Sequence, residues 1–289
     1  MRRLQAWIIA MVYAISLMAQ TDFPLPQIPA TMTQPEERLS YLLQHFWDNY
    51  QFSDTTQVNQ DLGEQGFADF VNLLGYGNDE LIAHATKLFY DQAFSNSWGK
   101  KHYSQMISHY LDNPNSPLRN DAVYVHFLRN IRPYYANDAA ARQRYAFKLT
   151  QAKKNLPGQP ATDFVYISRN GQQAKLSNIQ AKFTLLFFHD PDCENCKRIM
   201  PHAVAEEQLK RQDVTVLAMY ADKDYEAWKK DVRTYPANWI DAYSPNGEIT
   251  QKLLYYIPAT PSFYLLDVNK KVILKDAPLD TVLAFLQQN

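Results

Sequence analysis

Cys193 and Cys196 are the only cysteines in 289 residues, and they sit three positions apart in Asp192-Cys193-Glu194-Asn195-Cys196. A disulfide across two intervening residues closes so short a loop that it constrains the unfolded chain very little, so stabilisation is a poor reason for the pair. Reversible dithiol chemistry is a better one. The motif follows the apolar run Phe183 to Phe188 and opens a helical segment. At that place the unpaired N–H groups and the positive end of the helix dipole favour a thiolate at Cys193, the attacking species in disulfide exchange. Cys196 returns to the same helical face one turn later, where it can attack a mixed disulfide. Cys193 is therefore read as the nucleophile and Cys196 as the resolving thiol.

The neighbouring charges oppose one another: Lys197 and Arg198 lower the Cys193 pKa, while Asp190, Asp192 and Glu194 raise it. With Glu194 and no His or Pro between the cysteines, the couple is expected to be less oxidising than the strongest dithiol oxidants, which lie at about −120 mV. His189, at the end of the apolar run, and His202, within the helix, are the candidates for proton transfer. A structural zinc site needs four ligands, and no second Cys pair accompanies this one, so neither metal nor other cofactor is expected. His45, His84, His102, His109 and His126 lack ligand spacing and read as surface or packing residues.

The elements that must hold this motif fall into two groups. From residue 36 to 154 the pattern is helical: Leu39, Leu42, Leu43 and Phe46 recur at i, i+3, i+4 and i+7, as do Phe67, Phe70, Val71 and Leu74. Breakers at Gly75-Tyr76-Gly77-Asn78, at Asn113 to Pro117 and at Pro133 divide it into five or six amphipathic helices packed as an antiparallel bundle. Asn155 to Pro160 suits a domain boundary. Beyond it, strand patterns at 163–167 and 173–176 flank the hairpin signal Arg169-Asn170-Gly171. Strands at 183–188, 214–220, 262–266 and 271–274 alternate with helices at 193–212, 224–232 and 279–288. The fold class is α + α/β: an N-terminal helical bundle at 36–154, then at 155–289 a central mixed sheet flanked by helices.

Arg2 and Arg3 precede the short apolar run Ala6 to Met18, which ends at Ala19 before a polar, Pro-rich arm at 20–35. This is the pattern of a secretory signal peptide over residues 1–19, too short for a comfortable membrane span of about 20 residues. An exported protein, periplasmic or otherwise outside the cytoplasm and without stable membrane insertion after cleavage, is expected. A net charge of −1 without a basic stripe argues against nucleic acid as a partner.

Residues 155–289 resemble the thioredoxin-like superfamily, in its TlpA/ResA-type branch of exported thiol–disulfide oxidoreductases. Four features in order carry the resemblance: Gly158 to Leu176 is similar to the opening hairpin, Phe183 to Cys196 to the strand leading into CxxC, Pro201 to the helix-kinking proline, and Ala259 to Asp267 to the cis-proline segment. The resemblance implies a thioredoxin fold and a cis bond before Pro261, which would face the Cys pair. It also implies that Thr260 offers its backbone to an extended substrate peptide. Protein thiols or disulfides are the implied partners, with a membrane electron donor among the possible sources of electrons; the direction of electron flow stays open.

Departures from the family are equally specific. Phe187 and Ile199 stand where relatives place acids, and His189 stands where they place a tryptophan. Peroxiredoxins share the architecture, but their nucleophile follows a Pro and a Thr at a spacing that Pro191 does not match. The helical segment resembles a domain of unknown function found ahead of thioredoxin-like domains, through Arg38 to Leu42, Phe46-Trp47 and Ser116 to Asn120. The rival reading is a partner-binding envelope protein in which the helical domain recruits the partner and the second domain is mainly a scaffold.

Overall fold

The computed structural model describes residues 23–222, 224–231 and 235–289. The expected signal peptide at 1–19 lies outside the described residues, as do the first three residues of the arm.

Among the described residues six α-helices precede the sheet: α1 (Pro35–His45), α2 (Gln57–Leu74), α3 (Asp79–Ala93), α4 (Ser97–Ile107), α5 (Asp121–Asn130) and α6 (Ala139–Ala152). Their starts are written in the sequence as polar caps. Asn78, Asn96 and Asp138 accept the N–H groups of Leu81, Gly99 and Ala141 at 2.9, 2.8 and 2.9 Å, satisfying donors that a helix leaves open. Pro35 begins α1, where its missing N–H costs nothing. The abundant aromatic residues form the core of the first five helices. The ring of Phe89 lies 5.3 Å from Trp47, 5.5 Å from Phe67, 5.7 Å from Tyr103 and 5.8 Å from Phe127. Phe23, in the arm, stacks on Phe46 at 5.1 Å and leaves no room for a side chain at residue 66: a Cβ on Gly66 would meet its ring at 2.3 Å.

Two histidines tie this unit to pH. Burial pushes His102 below the ordinary histidine value against the opposing charge of Glu64. Burial does the same to His126, whose Nε2 lies 3.3 Å from Asp79 Oδ1 and is only partly compensated by it. A base with a depressed folded-state pKa takes up its proton more readily when unfolded. The stability contribution is therefore intact above the unfolded value of about 6.5 and is lost as pH falls through the folded values. Thermal melts should show the helical unit losing stability between neutral and mildly acidic pH, and a His102→Phe/His126→Phe double variant should flatten that dependence.

The chain divides into two compact units between Tyr134 and Tyr135. In this division α6 packs as part of the second unit. The physical reason is its C-terminus, where the ammonium of Lys275 donates to the carbonyls of Ala152 and Lys154, both at 2.7 Å.

Among the described residues the second unit is built on seven strands: β1 (Val165–Ser168), β2 (Gln173–Lys175), β3 (Phe183–His189), β4 (Val214–Tyr220), β5 (Trp239–Tyr243), β6 (Ser262–Leu266) and β7 (Val272–Leu274). They run in the order β2-β1-β5-β4-β3-β6-β7. The central pairs β3–β4 and β4–β5 are parallel; β3–β6, β6–β7, β1–β5 and β1–β2 are antiparallel. Every residue of β3 is buried, as an unbroken apolar run should be when both faces are covered. Leu186 and Phe188 point into a core with Tyr255 and Tyr264. Leu185 and Phe187 point into the opposite core with Met200, Val282 and Leu286. The covering helices include α7 (Glu194–Ala205) and α10 (Leu279–Gln288); α8 (Tyr225–Lys230) and α9 (Glu248–Gln251) are short. The helix expected to reach residue 212 ends at Ala205, where a separate 3₁₀ turn at Glu207–Lys210 takes over.

β5 is the strand that pattern reading passes over. Its centre is a carboxylate, Asp241, only 8% exposed, with burial raising its pKa against its partners. Asp241 accepts from Arg169 and from Trp228 Nε1, the latter at 3.0 Å. An ionised group in that position needs such partners.

Candidate redox site

Between β3 and α7 the chain turns through Asp190-Pro191-Asp192, and Asp190 supports the turn twice. Its Oδ1 accepts the N–H of Asp192 at 2.8 Å, and its carbonyl accepts the N–H of Cys193 at 3.2 Å. Pro191 supplies the preset φ that such a turn needs after its first residue. Cys193 is thereby delivered as the N-cap of α7, where its sulfur accepts the N–H of Cys196 at 3.3 Å. A thiolate fills the role that a cap oxygen fills in other helices.

The second wall of the site comes from the far end of the chain. The Thr260–Pro261 peptide bond is cis. The thiol of Cys193 donates to the Thr260 carbonyl at 3.1 Å. Cys193 is half-buried, Cys196 is fully buried, and both are free thiols. Cys193, Cys196 and Thr260 are therefore in one place, with Pro261 next in the chain.

Burial raises the Cys193 thiol, but hydrogen bonds from Cys196, from the Thr260 side chain and from the backbone N–H groups of Cys196 and Asn195 outweigh it, leaving the pKa below the ordinary thiol value. Burial first, then the hydrogen bond with Cys193, pushes Cys196 up to about 12. The lysine and arginine expected to act on Cys193 are engaged within their own helix: Lys197 with Glu194 at 2.7 Å and Arg198 with Asn195 at 3.3 Å. Hydrogen bonding and the helix end, rather than net local charge, hold the Cys193 thiolate.

The two histidines separate. His189 is 2% exposed and lies on the Phe187 side of β3, the face that α7 covers, its ring 6.0 Å from that of Phe187. His202 is exposed. Phe187 packs its ring 4.5 Å from Phe263, and Ile199 packs against the same core, so both positions that hold acids in relatives are hydrophobic here. Among the described residues no group of three or more His, Cys, Asp or Glu is arranged to hold a metal ion. Sequence reading missed the support: the Asp190 turn, whose Asp-Pro-Asp signal was available, and the Thr260 side chain, which favours the charged form of both thiols.

A mixed sheet with this strand order, a Cys pair opening α7 and a cis-proline at the start of β6 define a thioredoxin-like domain, the fold of thiol–disulfide oxidoreductases. Residues 157–275 match the AhpC/TSA family, and residues 12–155 match a domain of unknown function, DUF5106. The chain is thus an AhpC/TSA-type thioredoxin-like domain preceded by a DUF5106 domain. Among solved structures it is similar to a thioredoxin-like protein from Bacteroides caccae, with 29% identity over 92% of this chain and 98% of that one and a TM-score of 0.82. The C-terminal domain of an uncharacterized protein from Bacteroides fragilis shares 33% identity over 46% of this chain and 98% of that one, with a TM-score of 0.44. The thioredoxin domain of a thiol-disulfide oxidoreductase from Bacteroides vulgatus shares 20% identity over 46% of this chain and 96% of its own, with a TM-score of 0.41. No curated protein matches.

Proposed function

We propose that this protein is an exported thiol–disulfide oxidoreductase of TlpA-like character that exchanges disulfides with protein clients through Cys193 and Cys196. The observation that carries the reading is the position of Cys193 Sγ, 3.1 Å from the Thr260 carbonyl and 3.3 Å from the Cys196 N–H. The Cys193 thiolate attacks one sulfur of a client disulfide, forming a mixed disulfide and releasing the first client thiolate. Cys196 then loses its proton and attacks Cys193 Sγ. The second client thiolate leaves, and two electrons have passed from the pair to the client. The backbone of Thr260, beside Pro261, holds the client segment in extended form. His189, on the buried face beneath α7, serves the Cys196 proton; the exposed His202 does not share that environment.

The basic start and short apolar run of the N-terminus support export to the periplasm or another compartment outside the cytoplasm. Among the described residues no helix is long and apolar enough to cross a membrane. Return of the pair to its dithiol form then falls to client thiols or to a membrane electron donor.

Equilibration of the Cys193/Cys196 couple against glutathione buffers tests the reading. A midpoint more reducing than about −120 mV is expected, and a value at that oxidising extreme would contradict it. A pair that fails to cycle between dithiol and disulfide in any such buffer would remove the function altogether.

A further inference from the structure

The loop 252–261, which ends on Thr260 and Pro261, is gripped from outside the sheet by the short segment that follows α6. Asn155 is the centre of that grip. It is 5% exposed and stands at φ 51°, a left-handed conformation that asparagine tolerates better than most residues. Its Nδ2 donates to the carbonyl of Leu254 at 2.9 Å. Its Oδ1 accepts both the N–H and the hydroxyl of Thr162, at 2.8 and 2.9 Å. The carbonyl of Thr162 in turn accepts the hydroxyl of Tyr255 at 2.7 Å. One asparagine thus joins the strand lead-in at 162 to two consecutive residues of the loop.

The neighbouring residues act in the same sense. Lys154 Nζ donates to the carbonyl of Leu253. On the other side of the loop, Ser262 donates its hydroxyl to Asp276 at 2.6 Å, and the adjacent Lys275 binds the carbonyls of Ala152 and Lys154. The turn at 152–155 therefore holds the cis-proline loop at both ends, five residues before Thr260 by way of Tyr255 and one residue after Pro261 by way of Ser262.

We propose that Asn155 is a positioning residue for the redox reaction: through Leu254 and the Thr162–Tyr255 pair it fixes the loop that sets Thr260 against Cys193. The inference rests on the redox reading of that site. Loosening the loop withdraws Thr260 from Cys193, whose Sγ lies 3.1 Å from the Thr260 carbonyl and whose charged form the Thr260 side chain favours.

The test is the thiolate absorbance titration of Cys193 in the full chain, with Cys193→Ser identifying the signal. Asn155→Gly keeps the left-handed backbone and removes the three side-chain hydrogen bonds; Asn155→Asp keeps the acceptor towards Thr162 and removes the donor towards Leu254. Both are expected to raise the Cys193 midpoint by about 0.5 to 1 unit, the size of one weakened hydrogen bond to a charged group. Thr260→Val should produce a similar rise, and Asn155→Gly/Thr260→Val no more than the larger single effect, because both remove one interaction. Val282→Ala, a core change on α10, should lower the melting temperature without moving the midpoint. An unmoved midpoint in both Asn155 variants, or full additivity with Thr260→Val, would overturn the proposal. Failure of wild-type protein to reduce insulin while the midpoints move as expected would instead count against the redox reading alone.

Discussion

Cys193→Ser should bring the reduction of insulin disulfides to the uncatalysed background, a fall on the order of 10³-fold or more, because in the proposed exchange the replaced sulfur forms the covalent intermediate. Cys196→Ser should fail differently. It retains the attacking thiolate and lacks the group that resolves the mixed disulfide, so a client incubated with it should accumulate as a covalent adduct that dithiothreitol releases. The distinction follows from burial: Cys193 is accessible to a client and Cys196 is not. Wild-type turnover in Cys193→Ser would end the redox reading and leave the rival, a scaffold for partner binding. Adducts on Cys196 in the native protein would reverse the assigned roles.

The second large effect is in alkylation. At pH 7 a thiol that titrates at about 12, as Cys196 does, is ionised to roughly one part in 10⁵, whereas Cys193 titrates below the ordinary thiol value. Only the thiolate reacts, so labelling by iodoacetamide rises with pH as each group loses its proton. Reduced protein treated near neutral pH should carry label on Cys193 almost alone, with Cys196 becoming reactive only on denaturation. Peptide mapping by mass spectrometry reads the ratio directly. Comparable labelling of the two cysteines in folded protein would show that burial and hydrogen bonding do not separate them as described.

Much of the second domain was legible because its strands are unmixed apolar runs. β4 and β6 begin and end where the sequence pattern places them, and β3 runs one residue further, to His189. β5 was not, since Asp241 breaks the pattern and its partners Arg169 and Trp228 lie elsewhere in the sequence. The Cys pair could be found by spacing, and Pro261 by resemblance. The hydrogen bond from Asn155 to Leu254 spans 99 residues, and no local pattern announces a contact of that kind. The contacts of Lys275 with the carbonyls of Ala152 and Lys154, which span 123 and 121 residues, are equally invisible to local pattern.

The ends of α6 also bear on how this protein can be taken apart. The recognisable family segment starts at residue 157, yet the compact unit starts at Tyr135. A recombinant fragment or natural gene fusion that begins at the former would deprive Lys275 of both carbonyl acceptors and Leu254 of its amide donor. The family segment and the compact unit are offset by 22 residues, of which the 14 of α6 make about four helical turns. Carrying the whole compact unit into another protein therefore requires the longer piece, with its breakpoint ahead of α6.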